Sequence, residues 1–156
     1  MNKQQITALA TQEVNSADLK AKGATLATFT AISDLLDVTE QHQHGDIYAL
    51  LMNATSNAGQ LGKCDGIILR TCGWAAPVTG DENEDDVMPS VHPKRRRVAL
   101  VIVAPVNADY SISALRFSDD DDVIIQDTSR DGAPQGELPE ALAIFMDELN
   151  RVQYGE

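Results

Sequence analysis

The chain has 156 residues, a formal net charge of −12 and 43% hydrophobic residues, of which few are aromatic. That length suits one domain with an aliphatic core, and the composition excludes a collagen, a coiled coil, a disulfide scaffold and a fully disordered chain. The acidity argues against general nucleic-acid binding and against an anionic membrane surface, and it makes basic proteins the natural electrostatic partners; it also serves solubility.

The N-terminus, Met1 to Gln5, opens no apolar signal-peptide core. Ile6, Leu9, Ala10 and Val14 recur at helical spacing, and Gly23 breaks the pattern. Leu26, Phe29, Ile32 and Leu36 resume the same period, which predicts a second amphipathic helix over 25–38. Glu40 to Gly45 is a polar break. Asp46 is placed to cap a third helix carrying Ile47, Leu50, Leu51, Ala54 and Ala58, ended by Gly59 and Gly62.

The middle of the chain reads as strands. Gly66 to Cys72 is the first, and a polar stretch from Val78 to Ser90 follows. Arg97 to Ala104 is apolar on both faces, the mark of a central strand covered twice. Pro105 ends it, Asn107 to Asp109 turns, and Tyr110 to Phe117 returns as a hairpin. Asp119 to Asp122 punctuates, Val123 to Ile125 forms a short edge strand, and 128–137 is loop. Leu138, Leu142, Phe145, Leu149 and Val152 define a last helix. Pro139 suits its first turn, and Glu137 and Glu140 suit the positive end of its dipole.

The sum is an α+β fold: a small, mostly antiparallel sheet of three or four strands, flanked by N-terminal helices and a C-terminal amphipathic helix. Residues 1–63 carry 4 basic and 6 acidic groups, against 8 and 18 in residues 64–156. One domain over 1–156 is the simplest reading. The shift also fits a helical N-terminal appendage, 1–45, on a core of 46–152. The longest apolar run, Val98 to Pro105, is far too short to span a membrane. Cys64 and Cys72 are too few for a disulfide framework or a Cys-based zinc site, and on an extended segment they stand over ~20 Å apart. Reduced thiols and a cytoplasmic setting follow.

The least ordinary part runs from 71 to 98. Thr71 to Pro77 holds the lone Trp74, and Ser90 to Val98 holds His92 and the basic run Lys94, Arg95, Arg96 and Arg97. If the flanking strands are neighbours, Trp74 sits at one sheet end near His92 and the arginines. An aromatic ring beside guanidiniums can take an anion, a nucleotide base or a partner side chain. The bland alternative is neutralisation of the basic run by the acidic loop of Asp81, Glu82, Glu84, Asp85 and Asp86, where exposed pairs contribute ~0–1 kcal/mol each.

The segments Thr71 to Pro77 and Ser90 to Val98, together with Leu115-Arg116-Phe117 before Asp119 to Asp122, resemble a group of small actinobacterial and actinophage proteins. The group shares Thr-x-Gly-Trp-Ala-Ala-Pro and Ser-x-His-Pro-x-x-Arg-Arg-Val. The resemblance covers roughly 46–145. It implies a shared fold and a phage or actinobacterial setting, and with it a host-directed or counter-defence accessory role, but no mechanism.

Other constellations are weaker. His42 and His44 with Asp46 are a possible metal cluster, but a site also needs a third ligand and a second shell and no other His is near, so a polar connection explains them as well and no metal is assigned. Asp81, Asn83 and Asp85 fit the start of a calcium loop, but Asp86 replaces its glycine and His92 its bidentate glutamate. Cys72 with His92 is the one thiol–imidazole pairing the layout suggests, and a buried structural Cys72 is the simpler reading. The phosphate-loop, dinucleotide and zinc-protease motifs are absent, and no cofactor is assigned. Asp119 to Asp122 and the 81–86 loop could mimic nucleic-acid phosphates.

The lead expectation is a small acidic, soluble binding module. It acts through Trp74, His92, Arg95, Arg96 and Arg97 on a protein with a basic or mixed-charge surface. The runner-up is a small hydrolase or phosphate-handling enzyme, with His92 as acid or base and Arg95 to Arg97 holding an anion. The third is a homo-oligomeric structural subunit joined through its N-terminal helices, which requires an exposed apolar stripe on residues 6–36.

Overall fold

The structure, a computed structural model, describes residues 2–20, 22–33, 35–75, 91, 93–118, 122–129 and 137–155. Helix α1, Lys3–Asn15, starts on a capping box: Asn2 Oδ1 accepts from Gln5 N and Gln5 Oε1 accepts from Asn2 N, both at 2.9 Å. Its buried side chains are the predicted Ile6, Leu9, Ala10 and Val14.

The predicted helix over 25–38 is instead a hairpin of β1, Ala24–Ile32, and β2, Leu35–His44. Ile32 pairs with Leu35, and Ser33 takes a φ of 55. A positive φ there matches the right-handed strand twist that tight hairpins need. Residues 24–32 and 35–44 therefore lie in the sheet and are no part of a helical appendage. β1 carries apolar residues on both faces and so lacks the alternation that marks a half-buried strand.

Helix α2, Ile47–Ser56, opens as expected on Asp46, whose carboxylate accepts from Tyr48 N at 3.1 Å. A short 3-10 turn, Ala58–Gln60, leads to β3, Gly66–Ala75. β4, Arg96–Pro105, β5, Tyr110–Phe117, and β6, Val123–Ser129, then run as an antiparallel meander. Helix α3, Glu137–Tyr154, closes the chain. The fold is α+β, but among the described residues the sheet has six strands in the order β2-β1-β3-β4-β5-β6, where three or four were expected. The hairpin accounts for the difference. Among the described residues no helix is long and apolar enough to cross a membrane.

The sheet is covered on both faces. On one, α1 packs Ile6, Leu9, Ala10 and Val14 onto Ala27, Phe29, Ile68, Val101 and Ile112. On the other, α2 and α3 pack Leu50, Leu51, Phe145 and Leu149 onto Leu26, Ile67, Leu69 and Ile102. Successive strand residues point to opposite faces, so the doubly covered β3 and β4 read as unbroken apolar runs.

Candidate functional site

β3 and β4 pair with Trp74 opposite Arg97 and Ala75 opposite Arg96. Ile68 and Cys72 of β3 lie in the α1-side core, so the period of two puts Trp74 on that face too. The guanidinium carbons of Arg95 and Arg97 lie 4.8 and 4.6 Å from the centroid of the Trp74 ring. Such contacts are worth ~0.5–2 kcal/mol each, depending on desolvation. Trp74 is 36% exposed.

Arg96 does not join this cluster. It alternates to the other face and stacks on Phe117 at 4.0 Å. The basic run therefore divides in two, with Arg95 and Arg97 on Trp74 and Arg96 behind the sheet. His92 and the loop over 81–86 lie outside the described residues. So do the pairing of Cys72 with His92, the calcium-loop reading and the Asp119 to Asp121 part of the acidic run.

Arg97 has a second task. Its Nη1 donates to the Leu19 carbonyl oxygen at 2.9 Å. Arg116 donates from Nε to Val14 O at 3.1 Å and from Nη2 to Ala17 O at 2.9 Å. The Cys72 thiol donates to Asp18 O at 3.2 Å. These groups fix the segment that follows α1 along the sheet end beside Trp74. The helix C-terminus carries partial negative charge on its free carbonyls, so cations are well placed there. Farther along the same face Arg70 donates to Glu13 of α1 at 2.8 Å and to Glu40 of β2 at 2.6 Å.

Burial, and next the Asp18 carboxylate, push the Cys72 thiol up; the cations Arg116 and Arg97 pull it back only in part. A nucleophilic cysteine needs the opposite balance. Cys64 is buried and also pushed up by desolvation, and both cysteines are free. His44 Nδ1 accepts from Asp46 N at 2.9 Å, while the Asp46 carboxylate caps α2. Both groups are thus engaged locally, and no metal-ligating cluster occurs among the described residues.

Protein-family models, curated proteins and solved structures offer no match to this chain.

A groove elsewhere on the sheet was not foreseen. Between α3 and the β4–β5–β6 part of the sheet lies a groove of about 380 Å³. Leu100, Ile102 and Leu115 form its floor, and Leu138, Leu142 and Met146 form its helical wall. Ser111, Ser113 and Gln126 supply polar groups toward β6. The sequence signal for it is the alternation along β5: Ser111 and Ser113 interleave with Ile112 and Ala114, which are buried under α1. One face of β5 is thus core and the other is not.

Proposed function

We propose that this chain is an acidic protein-binding module whose contact surface is the sheet end built by Trp74, Arg95 and Arg97. The observation that carries the reading is Trp74, about one third exposed, with its ring in contact with two guanidiniums. Trp and Arg anchor protein interfaces more often than other residues, because they bring large contact area and directed charge with modest loss of freedom. The ring is held in place before binding, which lowers the ordering cost. A net charge of −12 favours a partner with a basic or mixed-charge surface. The enzyme reading rests on His92, which lies outside the described residues, and the half-buried Cys72 thiol is hydrogen-bonded to Asp18 O and pushed up by burial, which does not favour a nucleophile. The reading as a subunit joined through N-terminal helices requires an exposed stripe, and Ile6, Leu9, Ala10 and Val14 are instead buried on the chain's own sheet.

The test is capture from a host-cell lysate with native, Trp74→Ala and Arg95→Ala baits, followed by direct titration of any stoichiometric partner. Loss of a central anchor weakens such a complex by ~2 kcal/mol, about 30-fold. Trp74→Ala is expected to show that loss when titrated well below its melting transition, which the lost guanidinium contacts lower. A partner that binds all three baits equally overturns the reading.

A further inference from the structure

Helix α2 lacks the polar face that a surface helix usually has. From Ile47 to Gly62 the chain carries no Asp, Glu, Lys or Arg, although such residues make up 23% of it. One face of α2 buries Leu50, Leu51 and Ala54 in the core shared with α3. The opposite face sets Tyr48, Met52 and Ser56 in one row at intervals of four, with Ala49 and Asn53 in the row beside it. Tyr48 is 40% exposed and Met52 is 69% exposed. Ile144 of α3, on the same side of the sheet, is 62% exposed. A helix that lies on a soluble core normally turns charge toward water. An exposed row of aromatic and Met side chains without charge has the composition of an interface core.

We infer that the outer face of α2 is a self-association surface, on which α2 of a second copy packs antiparallel across a two-fold axis. Charge chooses the occupant. Each copy brings a net −12, so two copies repel over most of their surface and close best where the seam itself is uncharged. A basic partner would find no carboxylate on this helix face to pair with. The nearest acid on the helix is its N-cap, Asp46. Antiparallel packing sets the two Asp46 side chains at opposite ends of the seam, ~15 Å apart for a helix of this length. The face is also self-complementary, as a two-fold contact requires. Met52 rises between the smaller Ala49 and Ser56, which leaves room for the Met52 side chain of the other copy. Asn53 is exposed, and its carboxamide both donates and accepts, so it can pair with its own counterpart near the axis. One short helix and a side chain of α3 offer less than the ~800 Å² that a standard complex buries on each partner, so the dimer is weak, with a Kd on the order of 10 µM or above.

The test is sedimentation equilibrium of the full chain from about 10 µM to about 1 mM, at low and high NaCl. A reversible monomer–dimer equilibrium is expected, at least threefold tighter at high salt because screening removes the repulsion between copies. Met52→Glu puts a charge at the centre of the seam and is expected to weaken the dimer at least tenfold, with a native far-UV spectrum showing that the chain still folds. Met52→Leu is expected to dimerise as the native chain does. Asn53→Cys is expected to cross-link two copies under mild oxidation. Trp74→Ala is expected to leave the dimer unchanged, which separates this inference from the proposed contact site. A chain that stays monomeric at the top of that range, a dimer indifferent to Met52→Glu, or a dimer weakened by salt would each overturn the inference.

Discussion

Arg116 reaches back 102 residues to Val14 and donates to its carbonyl oxygen at 3.1 Å. With the Ala17 carbonyl it forms a two-point clasp on the end of α1. Hydrogen bonds from charged donors to partly buried acceptors contribute ~1.5–3 kcal/mol in net terms. Arg116→Met keeps the stem and removes the clasp. It is expected to destabilise the chain by about 2 kcal/mol, read as a lowered urea midpoint with an unchanged slope. Arg116→Lys should recover only part of this, because one ammonium cannot reproduce the fork. An unchanged midpoint in Arg116→Met would show that solvent serves those carbonyls equally well.

The two carboxylates on Arg70 should not be equivalent. Glu13 is 17% exposed at its side chain and Glu40 is 65% exposed. The Glu40 pair is screened by water and contributes ~0–1 kcal/mol. Removing the Glu13 charge leaves a half-buried guanidinium short of its best-shielded partner, a loss of ~1–3 kcal/mol. Glu13→Gln is therefore expected to lower the melting temperature clearly more than Glu40→Gln. Equal losses would mean that the burial difference has no energetic weight.

Gly66 opens β3 where Phe29 crosses it. A Cβ built there would collide with the edge of the Phe29 ring and stand 2.7 Å from the Ala104 carbonyl oxygen. Overpacking of this kind costs ~1–3 kcal/mol, or more when backbone must move. Gly66→Ala is expected to destabilise by at least that much. Adding Phe29→Leu should return only part of the loss, because the carbonyl contact remains. A full return would place the whole strain on the ring.

The thiols set an alkaline limit. Burial pushes Cys64 and Cys72 up, and it also pushes up the Tyr110 phenol. A group whose folded pKa is raised holds its proton longer in the native state than in the unfolded chain. Its stabilisation is complete below the unfolded thiol value of ~8.5 and is lost as pH rises through the folded value. The urea midpoint is expected to be level from pH 7 to 8 and to fall by pH 9.5. Replacing both cysteines by alanine should flatten that fall, whatever it does to the midpoint at pH 7. An equally steep fall in the double variant would assign the loss to other groups.

Much of the architecture is legible in the residues, and the main miss has a physical cause. β4 reads as a doubly covered strand because Arg97 to Ala104 is apolar on both faces, and it lies inside the sheet. α2 reads from Asp46 because one carboxylate settles where the helix begins. β1 is also covered on both faces, but its apolar residues Leu26, Phe29 and Ile32 fall at intervals of three, which a helix would use equally well. The contrary signal lies in Thr25, Thr28 and Thr30, whose branched side chains favour strands. The turn offered no help, since Ser33-Asp34 is not among the dipeptides that usually mark a tight hairpin. At the candidate site, Trp74 and the arginines were legible as a cluster. The division of Arg96 from Arg95 and Arg97 follows from strand parity, which needs the register of β3 against β4. The groove under α3 was legible only as the alternation of Ser111 and Ser113 along β5, because its opening depends on how far a helix lies across a sheet.

The order of synthesis meets the topology in one place. α1 is made first, yet its apolar face is covered by β4 and β5 as well as by β1 and β3. Ile6 and Val14 thus leave the ribosome long before Ile112 and Ala114 exist to receive them. The nascent chain can close its β1–β2 hairpin early, but it carries an uncovered helix until the meander is complete. Folding of α1 is thereby tied to the arrival of the meander, and a chain cut short before β5 would present that helix to chaperones and proteases.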